Sequence, residues 1–176
     1  AYEKDKKYWE ERVETFANAP DLPLAKNESQ ITEQRFCRRS AKLSQKEWQS
    51  VKDAARRLEV TPSVLLMSAY AETLRLWSSN TDFTLNLTQF DRKQLHPEVN
   101  DLIGDFTTLT LLEIKNAGNS FAERTKAIQK QLTEDLEHTA YSAVELEREL
   151  KKKTGNMRGA IIDRKSTRLN SSHAEL

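Results

Sequence analysis

The chain has 176 residues, 37% of them hydrophobic, with 28 basic and 27 acidic side chains and a single cysteine. That length suits one domain with a modest core. Near-balanced charge argues against a nucleic-acid or anionic-membrane binder, which recruits phosphates through a net basic face. No apolar run is long enough to span a bilayer. Cys37 alone cannot close an internal disulfide, which fits a reducing, cytoplasmic setting. The chain opens at Ala1 without an initiator methionine, so it reads as a segment of something longer.

Residues 3–17 carry Trp9, Val13 and Phe16 at helical spacing, and the prolines of APDLPL (Ala19 to Leu24) are expected to stop that helix. Residues 31–43 suggest a weaker strand, crowded by Arg35, Arg38 and Arg39, with Cys37 as a half-buried strand thiol. Ser44 and Glu47 form an S-x-x-E capping box, in which hydroxyl and carboxylate each satisfy an orphan backbone donor. They open a helix to about Leu58 striped by Trp48, Val51, Ala55 and Leu58, with Leu43 and Trp48 placed to staple its start. Thr61 and Pro62 mark the next start, an N-cap followed by proline at the first helical position. The helix they open, SVLLMSAYAETLRLW, is apolar nearly all round and predicts a central buried element.

The period then changes to two. Phe83, Leu85 and Leu87 alternate with Thr84, Asn86 and Thr88, which predicts a strand, and GDFTTLTLLEI (Gly104 to Ile114) predicts another. The same S-x-x-E box recurs at Ser120/Glu123 and Ser142/Glu145, opening helices of roughly 121–137 and 143–153. The first is striped by Phe121, Ile128, Leu132 and Leu136. Helices and strands mix along the chain, which predicts an α/β class, a mixed sheet with packed helices. The end, Asp163 to His173, reads DRKSTRLNSSH, residue for residue what one frame of a common short-read sequencing adapter encodes. Residues 163–176 are therefore set aside as an artefactual tail. Without them the basic and acidic side chains are equal in number.

Motif chemistry is sparse. There is no Gly-rich phosphate cradle, H-E-x-x-H, C-x-x-C or G-x-S-x-G. His96 and His138 lack metal-ligand spacing with Cys37, so no metal is expected. His96 precedes a proline and suits a turn cap, whereas His138 reads as a surface histidine at a helix end. Lys151 to Lys153 read as a solvated helix end. Trp9, Trp48 and Trp77 read as core. Asp105, a carboxylate at the head of a run that otherwise belongs inside, is explained locally only by turn or strand-start hydrogen bonding.

Several blocks in fixed order resemble the heterocyclization domains of nonribosomal peptide synthetases. They are APDLPL at 19–24, TPSVLLMSAYAETLRLWS at 61–78, FTLNLT at 83–88, HPEVNDLIGDFTTLTLLEI at 96–114 and SFAERTKAIQKQL at 120–132. The most specific is the G-D-F-T-x-L-x-L-L signature, matched at Gly104, Asp105, Phe106, Thr107, Leu109, Leu111 and Leu112. Amide-forming condensation domains place an aromatic or apolar residue where this chain has Asp105. The resemblance covers essentially residues 1–162, as a partial domain made of the lobe linker and the first part of the C-terminal lobe.

The resemblance implies a two-lobed fold similar to chloramphenicol acetyltransferase, with a tunnel between lobes. Upstream and downstream peptidyl carrier proteins would deliver substrates on phosphopantetheine arms, with an adjacent adenylation domain in the same chain and no cofactor bound directly. Holding both thioesters together turns a bimolecular encounter into a positioned one. The amine of a carrier-bound Cys, Ser or Thr attacks the upstream thioester to form an amide. Its thiol or hydroxyl then attacks that amide carbonyl, and loss of water leaves a thiazoline or oxazoline, which is general acid-base work. Asp105, Thr107, Asn86, Thr88 and Arg92 fall, by motif position, near the implied tunnel or lobe interface, and none is assigned as catalytic. The family's D-x-x-x-x-D-x-x-S motif is expected before Ala1 and its P-V-V-F-T-S block after Ile162. An ordinary amide-forming condensation domain and a noncatalytic carrier-docking scaffold are the competing readings. Residues 1–162 expressed alone with loaded carriers are expected to form no ring, and product detected by mass spectrometry would contradict that expectation.

Overall fold

The computed structural model describes residues 1–26, 30–33, 37–38, 40–94 and 96–154. Among the described residues there are five α-helices: α1 (Tyr2–Val13), α2 (Gln45–Leu58), α3 (Pro62–Trp77), α4 (Phe121–Leu136) and α5 (Ala143–Thr154). Two strands, β1 (Phe83–Phe90) and β2 (Thr107–Ile114), flank a short 3-10 helix at Pro97–Asp101. Helices combined with a strand pair place the chain in the α/β class, and the pair is antiparallel. The chain divides into two compact units. One comprises Ala1–Ala19, Asp82–Asn116 and Lys130–Leu176, the other Pro20–Thr81 and Ala117–Gln129.

In the first unit, Trp9 of α1, Leu111 of β2, Tyr141, and Leu146 and Leu150 of α5 form a buried cluster, with Tyr8, Val13, Phe16 and Ala143 packed on it. Each such aliphatic or aromatic side chain contributes about 1.5–3 kcal/mol by leaving water. That packing matters because an isolated two-stranded hairpin is marginal in water. The register pairs Phe83 with Ile114 and Phe90 with Thr107. Thr84, Asn86 and Thr88 therefore share a face with Glu113, Leu111 and Leu109. The opposite face carries Phe83, Leu85, Leu112 and Ile114, all fully buried.

Helix α1 stops at Val13, well before the prolines expected to end it. The reason is tertiary. The Ala17 N–H donates to Glu113 at 3.1 Å, and Thr84 donates to Asn18 O through its N–H and to Ala17 O through its hydroxyl. These bonds commit residues 17–18 to the hairpin instead of to another helical turn. Helix α4 buries Thr125, Ile128 and Asp135, while Phe121 and Leu136 of the expected stripe stay partly exposed, at 37% and 42%. Thr125 is accommodated by donating its hydroxyl to Phe121 O at 2.8 Å.

In the second unit, α2 starts with the expected capping box. Glu47 N–H donates to Ser44 Oγ at 3.3 Å and Ser44 N–H to Glu47 Oε2 at 2.7 Å. Trp48 is half-buried at the head of the stripe, but Leu43 remains exposed. Helix α3 corrects its sequence reading. It buries one stripe, Val64, Met67, Ser68, Ala71 and Leu74, and leaves Tyr70, Leu76 and Trp77 exposed. Apolar composition alone overstates its burial, because a stripe recurring every three to four residues covers one face only. Glu72 is held by a two-pronged bond from Arg124, Nε to Oε1 and Nη2 to Oε2, both at 2.8 Å, and by Arg75. Cys37 is exposed, because no strand forms among the described residues of 31–43 for it to pack into. Arg35 and Arg39 of that stretch, like residues 163–176, lie outside the described residues.

Gly118 sits at φ +93°, ahead of α4, and a Cβ built there would lie 2.6 Å from Glu123 Cβ. Strain and crowding act together at this position. Gly118→Ala is expected to destabilise the fold by more than about 1 kcal/mol, read as a lower urea midpoint.

Candidate functional site

The expected site residues all fall on or beside the β1–β2 hairpin. Asn86 and Thr88 lie on β1 and share a face with Thr107 at the start of β2. Asp105 stands two residues before Thr107, and Arg92 two residues after the end of β1. The face grades along its length. Thr107 is exposed, Thr88 half-buried and Asn86 almost fully buried, with Asn86 Oδ1 lacking a hydrogen-bond partner among the described residues.

Asp105 is exposed, and its Oδ1 accepts the Thr107 N–H at 2.8 Å. This is an Asx turn, in which a short carboxylate satisfies the backbone two residues on. Bonding to Thr107 holds the Asp105 carboxyl below its ordinary range. The turn thus explains locally why an Asp heads this strand. His96 caps the neighbouring 3-10 helix, its Nδ1 accepting the Glu98 N–H at 3.3 Å.

The residues joining β1 to β2 are cross-tied. Asp91 N–H donates to Phe106 O at 3.0 Å, closing the base. Arg92 Nη1 donates to Val99 O at 3.1 Å and to Asn100 O at 2.7 Å. Its guanidinium carbon lies 4.1 Å from the Phe106 ring centroid and 5.5 Å from that of Phe90. Leu102 and Ile103 are exposed at the far side.

A second polar constellation, absent from the sequence reading, lies in the same unit around two buried carboxylates, Glu113 and Asp135. Arg12 donates to Glu113 Oε2 and to Asp135 Oδ1, both at 2.6 Å, and its guanidinium carbon lies 4.8 Å from the Trp9 ring centroid. Asp135 Oδ1 also accepts from Tyr8 at 2.8 Å and from Gln131 at 2.9 Å. Burial pushes the Asp135 carboxyl above its ordinary range against the pull of Arg12. Burial and the bond to Asp135 push the Tyr8 hydroxyl up to about 12.

His138 corrects its reading as a surface residue. It is buried, stacked on Tyr8 with ring centroids 4.0 Å apart, and its Nδ1 lies 3.0 Å from Asp5 Oδ1. Asp5 Oδ2 accepts the Ala140 N–H at 2.9 Å. Only the helical spacing of Asp5, Tyr8, Trp9 and Arg12 hinted that these polar groups face inward.

Among the described residues, two hollows of this unit are well formed, and neither includes the hairpin candidates. One of about 20 Å3 is lined by Trp9, Leu111, Asp135, His138 and Tyr141. That is room for one water and too little for a substrate. The other is a shallow groove of about 540 Å3 between α1 and α5 whose charges are mixed, Lys6 and Arg148 beside Glu10 and Glu149. Among the described residues no His, Cys, Asp and Glu are grouped to hold a metal, and no helix is long and apolar enough to cross a membrane.

The profile of the family described as Condensation domain matches residues 1–167. The chain belongs to the condensation-domain family. Its match runs past residue 162, into the stretch read as adapter. Bacitracin synthase 1 from Bacillus licheniformis is 37% identical over 163 residues, covering 92% of this chain and 3% of that protein. Pyochelin synthetase PchF from Pseudomonas aeruginosa (strain UCBPP-PA14) is 37% identical over 164 residues, covering 92% of this chain and 9% of that protein. The crystal structure of the EpoB NRPS cyclization-docking bidomain from Sorangium cellulosum matches with a TM-score of 0.79 at 36% identity. That match covers 90% of this condensation-family chain and 32% of the EpoB chain.

Asp5 supplies a pH test. Burial would raise its carboxyl, but His138, the Ala140 N–H and the N-terminus together bring it below its ordinary value of 3.8. Its stabilisation is therefore present above that unfolded-chain value and lost as pH falls through the lower folded value. Asp5→Asn is expected to cost about 2 kcal/mol at pH 7. Denaturant titrations of both proteins should show this gap closing as the pH drops below the ordinary carboxylate range.

Proposed function

We propose that this chain is part of a synthetase domain that joins two carrier-bound acyl units and cyclodehydrates the resulting Cys, Ser or Thr amide to a thiazoline or oxazoline. The observation that carries this reading is the G-D-F-T-x-L-x-L-L block, with Asp105 capping the start of β2, at the position where the resemblance implies an aromatic or apolar residue in amide-forming domains. Similarity to a cyclization bidomain supports it. Nucleophile and carbonyl of the second step lie in one molecule, so the protein's task is to hold them aligned, take a proton from the thiol or hydroxyl and give one to the departing oxygen.

In this reading the substrates arrive on phosphopantetheine arms of upstream and downstream carrier proteins, an adenylation domain loads the downstream carrier, and the work is cytoplasmic. Residues 1–162 form the lobe linker and first part of the C-terminal lobe, and Asp105, Thr107, Asn86, Thr88 and Arg92 lie near the tunnel or lobe interface. Residues 163–176 are translated adapter, which resequencing the gene through this junction checks.

The test is to supply the complete synthetase domain with loaded carriers and resolve linear amide from ring product by mass spectrometry. Ring product is expected from the unaltered domain, and linear amide alone would assign the domain to plain condensation. Asp105→Phe removes the turn bond and is expected to lower ring formation at least about tenfold or to impair folding. A stable, fully active variant would leave Asp105 a family marker only.

A further inference from the structure

We infer that Arg92 is a positioning residue for ring closure, stapling the connection between β1 and β2 so that Asp105 and Thr107 are presented in one fixed geometry. The inference rests on the ring-forming function proposed above. It assigns Arg92 a job that no motif gives it.

The guanidinium sits where three parts of the connection converge. One nitrogen, Nη1, serves two successive carbonyls of the 3-10 helix, Val99 O and Asn100 O. Val99 O also accepts the Leu102 N–H at 3.4 Å, so Arg92 adds a second donor at the end of the 3-10 helix. The guanidinium carbon also lies over the ring of Phe106, the residue between Asp105 and Thr107, while the Phe90 and Phe106 rings meet edge to face with centroids 5.9 Å apart. Arg92 thus ties the end of β1, the 3-10 helix and the start of β2 into one body.

Its contacts are of a kind that holds backbone. Among the described residues Arg92 bonds to the carbonyls of Val99 and Asn100 and to no carboxylate, while neighbouring Asp91 pairs with Lys93 at 3.8 Å. The charge is therefore directed to carbonyl dipoles and ring faces. Gln94 and Asn100 add a side-chain bond of 3.0 Å, and Asp91 N–H to Phe106 O closes the base. Release of Arg92 would free the Phe106 ring, and with it the backbone on which the Asp105 to Thr107 turn is built.

Lysine keeps the charge but lacks the broad, weakly hydrated guanidinium that lies over the Phe106 ring while Nη1 reaches Val99 O and Asn100 O. In the complete synthetase domain with loaded carriers, Arg92→Lys is expected to slow ring closure at least about tenfold while amide formation changes less than about twofold, the split expected of lost orientation in one step. Hydrogen exchange at the Thr107 amide and across residues 97–102 is expected to accelerate, with the melting temperature little changed. Parallel loss of both products, an unchanged ring-to-amide ratio, or unchanged exchange at Thr107 would each overturn the inference. If the unaltered domain makes only linear amide, the ring-forming reading fails, and so does the role of Arg92 in closing a ring. Where Arg92→Lys does not fold, Arg92→Gln, which keeps a planar donor without the charge, is read by the same ratio and exchange.

Discussion

A half-buried guanidinium between two buried carboxylates holds the first unit together. Arg12 projects from α1 and binds Glu113 of β2 and Asp135 of α4, with aromatic faces of Tyr8, Trp9 and Phe16 around it. Each charge alone in that setting would be strongly destabilising, and removing one partner of such a set costs about 3–5 kcal/mol. The requirement that all three meet fixes where α1, the hairpin and the end of α4 lie within the unit. Glu113 extends the tie to the chain after α1 by accepting the Ala17 N–H. The Asp5 and His138 pair fastens the other end of the same helix.

Function is proposed for a different part of the hairpin. The end of β2 that carries Glu113 is locked among charges and apolar neighbours, whereas the end that carries Thr107 is open and graded from buried Asn86 to exposed Asp105. A rigid base with an accessible, internally braced end is the arrangement a positioning element needs, because a site is only as precise as its supports. Arg12 and Arg92 therefore play parallel roles. One anchors the hairpin to helices, and the other organises the segment that joins its strands.

The capping boxes were legible in the sequence because they are local. Serine and glutamate three residues apart satisfy each other's backbone donors wherever a helix begins, and Ser44/Glu47 and Ser142/Glu145 do so. At Ser120 the serine caps Glu123 N–H as expected, but the glutamate takes the Asn119 N–H instead. The strand alternation at 83–88 and the Asp105 turn were legible for the same reason. The burial of Asp5, Asp135 and His138 was not, since a polar residue reads as exposed until its partner arrives from more than a hundred positions away. Trp77 failed in the opposite sense, being apolar yet exposed at the end of α3.

The order of residues by itself determined the helices and their starts, the two strands, the α/β class and the family resemblance, because each follows from hydrogen bonding and side-chain period over a few residues. Tertiary structure alone decided where α1 ends, which face of α3 and α4 is buried, and that Arg12 and Arg92 are the braces. Those outcomes depend on a charge or carbonyl finding its complement from elsewhere in the fold, and no local pattern encodes that meeting. Asp105 stands between the two. Its turn is written in its own neighbourhood, and Arg92 stacking on Phe106 braces the backbone that holds it.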